Sequence, residues 1–322
     1  MKTISKLCCL ALLFSTLSTT ALKAQSTPGL YLTYLGNDGG PNFVNYWKNG
    51  QVVKLSDGKT FAEALDIAVL GDDEYVSGYV NNSEGEPVAT YWKNGKGFVL
   101  TDGKTYAKAM AIAVSGSDVH VIGNNGSAAM YWKNGIATKM GEEITLTDIF
   151  VAGQDVYISG YKVDDNGDYE ATYWKNGKTV KLTSANPGAE ANGIAVSGTD
   201  VYVAGKAKDK AGVEIAVYWK NGKETLLANG TSAKAVSLSG NDVYFAGFER
   251  NAEAINVMVS WKNGQPTRLT DGKESAGVNA MAVSGQDVYL AGYLEGNATY
   301  WKNGKAVSLP NVVGHITGIF VK

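Results

Sequence analysis

The chain has 322 residues, 29 Lys and Arg against 31 Asp and Glu, and a formal net charge of −2 at pH 7. Only two of its basic residues are arginines, Arg250 and Arg268. Proteins that bind nucleic acids or anionic membranes need clustered positive charge. The composition therefore argues against both as partners.

The first 24 residues are predicted to be a secretory signal peptide. Lys2 and Lys6 precede an apolar run from Leu7 to Phe14, and small and polar residues follow as far as Ala24. The run is shorter than the 20 or so apolar residues of a transmembrane helix, and no second run of that length follows. We expect export to the periplasm or cell surface of a Gram-negative bacterium, without membrane insertion.

The mature chain, residues 25–322, is predicted to be free of cysteine, because Cys8 and Cys9 both lie in the leader. This excludes disulfides and thiol chemistry. Loss of the leader removes three of the 29 basic residues and no acidic one, which changes the net charge from −2 to −5. We expect a soluble monomer.

The mature chain is organised by a repeat of Trp-Lys-Asn-Gly. Consecutive copies lie 45, 40, 42, 45, 42 and 40 residues apart, a period typical of one four-stranded propeller blade. The repeat contains every tryptophan of the sequence, at Trp47, Trp92, Trp132, Trp174, Trp219, Trp261 and Trp301.

The unit from residue 192 to 227 shows the four predicted strands, A to D. Strand A covers 193–197, strand B covers 200–205 and ends in a glycine, strand C covers 216–220, and strand D covers 223–227. Asn221-Gly222 supplies the positive φ angles of a tight hairpin between C and D. The A-to-B turn carries an aspartate in six units, which we expect to bond its own turn backbone.

The two ends of the mature chain are incomplete units. Residues 30–35, 43–48 and 51–55 match strands B, C and D, and residues 316–321 match strand A alone. The predicted fold is an all-β, seven-bladed β-propeller with four antiparallel strands per blade. A composite blade, 30–55 plus 316–321, closes it by joining C-terminal strand A to N-terminal strands B, C and D, which leaves no open sheet edge.

This plan resembles bacterial secreted seven-bladed β-propellers, and it is similar to kelch and tryptophan–aspartate repeat propellers, which also share one blade between the termini. The Trp-Lys-Asn-Gly repeat resembles those of exported proteins from gut-type Gram-negative bacteria. Neither the kelch nor the tryptophan–aspartate signature is matched residue by residue, so the resemblance implies an architecture and carries over no functional residues.

The loops differ between the two faces of the predicted ring. The A-to-B and C-to-D turns, on what we call the constant face, are nearly identical in all units. The B-to-C and D-to-A loops, on the variable face, differ in length: the B-to-C stretch is short at 123–130 and long at 160–172 and 247–260. Repeat proteins usually bind through the surface that varies. We therefore expect ligand binding on the variable face.

Candidate ligand-binding residues come from strand A and the final D-to-A loop. One column is small except at Asp66 and Asp148, and the column before it adds amides and a lysine at the mouth of the predicted channel. The candidates are Asp66, Asp148, Asn192, Lys234, Asn279 and His315. Paired carboxylates can act as general acid and base or hold a cation, or simply bond water in a wet channel.

Several other motifs have a structural explanation as well as a functional one. The tryptophans could stack on sugars, but their place before a tight turn favours packing between blades. The acidic loop 164–170 could bind calcium, but it departs from the calcium-loop spacing and suits a hairpin tip. His120 replaces a tyrosine found in five units, which indicates packing. No catalytic triad, zinc cluster or phosphate loop can be assembled, so no catalytic residue, metal or cofactor is predicted.

The sequence therefore favours a non-enzymatic recognition or scaffold propeller that binds a glycan or a protein through its variable face. The alternative is a carboxylate-dependent polysaccharide hydrolase or lyase with Asp66 and Asp148 at the channel mouth. A third hypothesis is a purely structural part of a larger surface assembly.

Overall fold

The computed structural model describes residues 29–37, 44–56, 58–182, 184, 187–253 and 255–322. The predicted leader, residues 1–24, and the predicted start of the first strand C at Phe43 lie outside them. The described part of the chain is all-β, and it holds no helix long and apolar enough to cross a membrane.

The described residues form 27 strands. Their bounds are β1 Leu30–Asn37, β2 Asn45–Lys48, β3 Gln51–Lys54, β4 Ala62–Leu70, β5 Asp73–Asn81, β6 Pro87–Lys93, β7 Lys96–Val99, β8 Ala107–Ser115, β9 Asp118–Asn125, β10 Ala128–Lys133, β11 Ile136–Gly141, β12 Ile144–Ala152, β13 Asp155–Val163, β14 Tyr169–Lys175, β15 Lys178–Lys181, β16 Glu190–Ser197, β17 Asp200–Lys208, β18 Glu214–Lys220, β19 Lys223–Leu226, β20 Gly230–Ser239, β21 Asp242–Arg250, β22 Asn256–Lys262, β23 Gln265–Arg268, β24 Ala276–Ser284, β25 Asp287–Leu294, β26 Asn297–Lys302 and β27 Lys305–Val321.

Most strands belong to four-stranded antiparallel sheets of consecutive strands: β4–β7, β8–β11, β12–β15, β16–β19 and β20–β23. The other seven form one hydrogen-bonded sheet in the order β24-β25-β26-β27-β1-β2-β3. The sheet is continuous because β27 pairs with β26 through its first residues and with β1 through its last.

The predicted pairing of the C-terminal strand with the first strand is confirmed. Leu30 lies opposite Val321, and Leu32 lies opposite Ile319. The structure differs from the prediction in one respect, because β27 runs without a break from Lys305 to Val321. The segments predicted as strand D, a loop and strand A are therefore one long strand.

The first strand of each sheet lies beside the first strand of the next. These inner strands are β4, β8, β12, β16, β20 and β24, together with the C-terminal part of β27, which contacts both β24 and β4. Six clusters of buried hydrophobic side chains fill the spaces between neighbouring sheets. A seventh lies within the seven-stranded sheet and joins β1 to β25, β26 and β27. Trp92 and the five tryptophans after it are at most 3% exposed in or beside these clusters. The prediction that tryptophan packs between units is confirmed for those six.

Six of the seven Trp-Lys-Asn-Gly hairpins are held by the aspartate of an A-to-B turn. In the β16–β19 sheet, Asn221 donates to Asp200 Oδ1 at 2.8 Å, and Lys220 Nζ lies 2.7 Å from Asp200 Oδ2. The Asn221 Oδ1 atom also accepts the N–H of Val201 at 2.8 Å. The prediction that this aspartate bonds its own turn backbone is therefore corrected. The same contacts recur at Asp73, Asp118, Asp155, Asp242 and Asp287.

The long B-to-C stretches are mostly strand. The second strand continues beyond its glycine in every complete sheet, so that the connecting segments shrink to 164–168 and 251–255 in the two units predicted to have long loops. In the first of these, Asp164 Oδ1 accepts the N–H groups of Asn166 and Asp168 at 2.9 Å. Asn82, Asp209 and Asn251 make the same pair of bonds in their own hairpins. The acidic loop is thus one of four similar turns.

Candidate functional site

Each inner strand contains a β-bulge at the same position. The register with the second strand shifts there, leaving one residue per strand unpaired and directed out of the ladder. The bulge residues are Leu65, Met110, Thr147, Asn192, Lys234, Asn279 and Thr317. Three of the predicted binding residues are in this set.

A glycine on the second strand makes room for the bulge in six sheets. A Cβ atom at these glycines would lie 1.8–2.1 Å from the carbonyl oxygen two residues before the bulge residue. Gly160, for example, faces the carbonyl of Thr145 in this way. The sequence pattern predicts that this glycine ends strand B, whereas it lies within the strand and is the sequence signal of the bulge. The six glycines are Gly78, Gly123, Gly160, Gly205, Gly247 and Gly292.

The bulge residues surround a cavity of about 210 Å³, which we call the mouth cavity. Five of the six predicted binding residues line it: Asp66, Asp148, Asn192, Lys234 and Asn279. Its walls also include Leu65 and Met110 on one side and Thr147 and Thr317 elsewhere on the perimeter.

His315 is placed differently from the other candidates. It lies within β27, opposite Leu35, and not in a loop as predicted. Its ring is half-buried and meets the ring of Tyr293 edge-on, with centroids 6.4 Å apart. It does not line the mouth cavity. The other histidine, His120, is 3% exposed with Nδ1 2.7 Å from the Tyr131 hydroxyl, as expected of a packing residue.

Polar bulge residues tie each inner strand to the next. Asn192 Nδ2 donates to the carbonyl of Ala233 at 2.8 Å, and Asn279 Nδ2 donates to that of Ile316 at 2.8 Å. Thr147 and Thr317 make equivalent bonds through their hydroxyls, to Ala191 and Ala64. Because each amide nitrogen is anchored, the orientation of each amide oxygen is fixed as well.

The two aspartates make a second kind of tie between strands. Asp66 Oδ2 accepts the N–H of Ile112 at 3.0 Å, and Asp148 Oδ2 accepts that of Ile194 at 2.9 Å. The other Asp148 oxygen accepts the N–H of Ile149 at 2.8 Å. Both carboxylates therefore have structural partners.

The same enclosure disfavours the charged form of both aspartates. Burial raises the pKa of Asp66 to about 6, against the opposing effect of its backbone N–H donors. Burial raises the pKa of Asp148 to about 7, and the negative charge of Asp66 adds to the rise. The two carboxyl groups are close enough to interact electrostatically.

Lys234 is the only cationic side chain lining the mouth cavity in the described structure, and it makes no hydrogen bond or salt bridge there. Burial lowers its pKa, and nearby Lys206 adds to the effect, while Glu190 and Glu214 oppose it. Both glutamates are already paired with Lys206, at 3.2 and 2.6 Å. The Lys234 ammonium group therefore has donors left for a ligand.

A second cavity of about 580 Å³, the inner cavity, continues from the mouth cavity toward the constant face. Residues of all seven inner strands line it, and half of these are Ile and Val, such as Ile67, Val69, Ile112 and Ile149. The polar groups suited to ligand recognition are therefore concentrated on the variable-face side.

The described residues contain no group of three or more His, Cys, Asp and Glu side chains that could hold a metal ion. Calcium at the acidic hairpin would compete with the two N–H groups that Asp164 Oδ1 already accepts. The turn therefore explains why Asp164 is present in this loop.

Comparison with known proteins identifies the fold. No protein-family model matches the chain, and no curated protein matches it significantly. An acylaminoacyl peptidase from Pyrococcus horikoshii superposes with a TM-score of 0.51 and 15% identity, over 77% of this chain and 46% of that one. An acylaminoacyl peptidase in complex with Z-Gly-Gly-Phe-chloromethyl ketone gives 0.55 and 12%, over 87% and 50%.

A protein from Bacteroides uniformis, provisionally described as a 6-phosphogluconolactonase, gives a TM-score of 0.51 and 13% identity, over 92% of this chain and 100% of that one. The fold is propeller-like. This chain matches only about half the length of the two peptidases. At these identities the likeness extends to the fold alone.

Proposed function

We propose that the chain is a closed seven-bladed β-propeller, exported from the cell, that recognises a glycan or a protein through its variable face without catalysing a reaction. The contacts that link the seven inner strands from β4 through β27 and back to β4 support the ring. The inner cavity, with lining residues from all seven strands, supports it too.

The observation that carries the recognition role is the contrast between the two faces. On the constant face, six hairpins repeat the same Asp, Lys and Asn contacts. At the mouth cavity, equivalent bulge positions hold an aliphatic residue, a thioether, hydroxyls, amides and an ammonium group. A set of structurally equivalent positions with such varied chemistry suits one asymmetric ligand.

Trimming a variable loop tests this proposal. The sheet β8–β11 supplies the template, because its second and third strands are joined by residues 126–127 alone. Replacing 164–168 and 251–255 by Gly-Ser should abolish or strongly weaken binding of an envelope-extract ligand or an arrayed glycan, with little change in melting temperature. Binding unaffected by both replacements would contradict the proposal. Asn221→Gly, in a constant turn, is the matched control.

A second candidate function, glycan hydrolysis or cleavage by a lyase, is favoured by the raised pKa values of Asp66 and Asp148. A carboxyl group with a pKa near 7 can serve as a general acid. However, both groups already accept backbone N–H groups, and no Ser, Cys or His lines the mouth cavity of the described structure. Turnover on a polysaccharide panel, lost in both Asp66→Asn and Asp148→Asn, would establish this alternative over the first.

A further inference from the structure

We propose that the mouth cavity binds a neutral saccharide unit, and that adjoining units of the same glycan lie on an aromatic ledge beside it. This inference rests on the proposed recognition role of the variable face and specifies the class of ligand. It is carried by the unused hydrogen-bonding groups of the cavity and by an exposed aromatic cluster on the strands that lead into it.

The mouth cavity presents both acceptors and donors that the protein does not use. Asn192 and Asn279 each anchor the amide nitrogen to a neighbouring strand, and neither Oδ1 atom has a protein partner among the described residues. Lys234 supplies an ammonium group without a direct partner. A ligand must therefore offer hydrogen-bond donors to the amide oxygens and an acceptor to the lysine.

The other lining residues exclude most simple ligand chemistries. A cationic group would meet Lys234, and a carboxylate would meet Asp66 and Asp148 at the same cavity. A purely aliphatic group would leave the amide oxygens and the ammonium group desolvated and unpaired, which is costly. A neutral sugar ring satisfies all of these groups, because each hydroxyl both donates and accepts while the ring's C–H face can contact Leu65 and Met110.

The aromatic ledge consists of Phe61, Tyr79 and Tyr106, with Lys108 between the tyrosines. Phe61 is 43% exposed and Tyr106 is 47% exposed. Phe61 packs on Tyr79 with ring centroids 6.2 Å apart. The Lys108 ammonium lies 4.4 Å from the Tyr79 centroid and 5.3 Å from that of Tyr106. These contacts support the exposed rings as rigid stacking surfaces.

The ledge leads directly into the mouth cavity. Tyr106 precedes β8, and Met110, the bulge residue of that strand, lines the cavity and is 42% exposed. Four residues of strand extend over roughly 13 Å at about 3.3 Å per residue. Phe61, which precedes β4, and Leu65, the bulge residue of β4, repeat this arrangement. An oligosaccharide of a few units can therefore occupy the cavity with one end and the ledge with the rest.

The test is isothermal titration of the mature protein with neutral hexasaccharides of glucose, mannose, galactose, xylose and N-acetylglucosamine, and with an acidic galacturonate hexasaccharide. We expect at least one neutral probe to bind. Asn279→Val and Lys234→Met should each weaken that binding at least tenfold. Ser115→Ala is the matched control, because it removes a similar tie between neighbouring sheets, the 2.9 Å bond from Ser115 Oγ to the Gly153 carbonyl, at a residue that does not line the mouth cavity, and it should change the affinity less than twofold.

A second pair of variants tests the ledge. Tyr106→Ala should weaken hexasaccharide binding at least fivefold and leave binding of the corresponding monosaccharide unchanged. Tyr169→Ala, which removes a comparably exposed tyrosine (43%) from a different sheet, should have no effect. Equal loss in both variants would contradict the ledge.

The outcomes separate this inference from the recognition role. If no neutral probe binds at millimolar concentration, or only the acidic probe binds, the saccharide assignment is overturned. Binding of an envelope protein that is lost on trimming 164–168 and 251–255 would then leave the recognition role standing. If neutral-probe binding survived the mouth variants and also the loop trimming, the saccharide assignment and the recognition role would both be overturned.

Discussion

At the scale of single residues, six glycines determine what the mouth cavity presents. Each glycine lets a carbonyl pass where a side chain would stand, and the bulge beside it directs one residue out of the ladder. In five of those six sheets the bulge residue is larger than threonine: Leu65, Met110, Asn192, Lys234 or Asn279. Each of these cavity-lining residues on an inner strand therefore depends on a glycine on the adjacent second strand.

Replacing one of these glycines should damage the fold. In Gly160→Ala the new Cβ would stand 2.1 Å from the Thr145 carbonyl oxygen, which lies in backbone that cannot move without breaking the bulge. We expect the free energy of unfolding, measured in urea, to fall by about 3 kcal/mol or more. In Gly97→Ala, also within a strand, the new Cβ would stand 3.3 Å from its nearest neighbouring atom. There the free energy of unfolding should fall by less than about 1 kcal/mol. Equal effects would contradict the bulge account.

The paired aspartates give the stability of the protein a distinct pH dependence. Their pKa values of about 6 and about 7 lie above the ordinary 3.8, so the folded state holds more protons than the unfolded state between about pH 4 and pH 7. Over that window the aspartates' contribution to the free energy of unfolding falls as the pH rises.

The variant Asp66→Asn/Asp148→Asn should lack this dependence. From pH 5 to pH 8 the free energy of unfolding of the natural protein should fall by about 1–3 kcal/mol relative to the variant, with the lower figure expected if cavity water screens the charges. Urea denaturation at the two pH values measures it. The control Asp165→Asn, at an exposed carboxylate, should show the same pH dependence as the natural protein. If the free energies of unfolding of the natural protein and the double variant differed by the same amount at both pH values, the raised pKa values of Asp66 and Asp148 would be contradicted.

Part of the site was predictable at this scale and part was not. Small residues at equivalent positions made Asp66 and Asp148 conspicuous, and the adjoining column brought in Asn192, Lys234 and Asn279. The sequence did not show that the amide nitrogens and carboxylates are used between strands, because those contacts cross sheets. His315 was misplaced because nothing local in 309–315 reveals that one continuous strand pairs with both β26 and β1. The ledge was missed because Phe61 and Tyr106 have no counterparts in the other units.

At the scale of elements, the Trp-Lys-Asn-Gly hairpin is a unit held by its aspartate. The asparagine adopts φ near +50°, accepts one backbone N–H and donates to the aspartate, while the lysine pairs with the same carboxylate. In five sheets the lysine also lies 5.1–5.3 Å from the centroid of a tyrosine. The repeated Lys and Asn are therefore explained by turn structure.

Two substitutions at one hairpin separate backbone conformation from side-chain bonding. Asn221→Gly keeps the positive φ at little cost but loses the hydrogen bonds to Val201 and Asp200, so the free energy of unfolding should fall by about 1 kcal/mol. Asn221→Ala also forces an alanine to φ +51°, so it should lose about 1 kcal/mol more. Urea denaturation of both proteins is the check, and equal losses would contradict this division.

The hairpins and the four-stranded units were predictable because Asn-Gly, spacing and the strand pattern are local signals. The role of the aspartate was not, since its partners lie some 20 residues away on another turn of the same sheet. Strand lengths were also underestimated: Gly205 lies inside β17, which extends to Lys208. A mid-strand glycine resembles a strand end in sequence, although here it accommodates a neighbouring carbonyl.

At the scale of the whole molecule, the final strand joins the C-terminal strands β24–β26 to the N-terminal strands β1–β3 in one sheet. Ile316 is fully buried and Ile319 is 8% exposed, in a cluster that includes Leu30 and Leu32 of β1. The expected partnership of 316–321 with 30–35 could be read from the complementary gaps in the repeat. The continuity of β27 through 309–315 could not.

Deleting residues 316–322 should therefore destabilise the whole protein. The deletion removes buried apolar area worth several kcal/mol and exposes β1 as an open edge. We expect the melting temperature to fall by about 10 °C or more, and the protein to self-associate in size-exclusion chromatography. Lys322→Ala, which removes only a surface contact with Gly71 and Asp72, is the control. A deletion with the melting temperature of the natural protein would contradict the closure.

The central claim is that ligand binding occurs at the mouth cavity on the variable face, and hydrogen exchange with and without the tightest-binding hexasaccharide tests it most directly. The account predicts slower exchange in segments 61–66, 106–111, 188–193 and 276–280, with the seven Asn-Gly turns unchanged. Protection at those turns, with none at the inner-strand bulges, would contradict it.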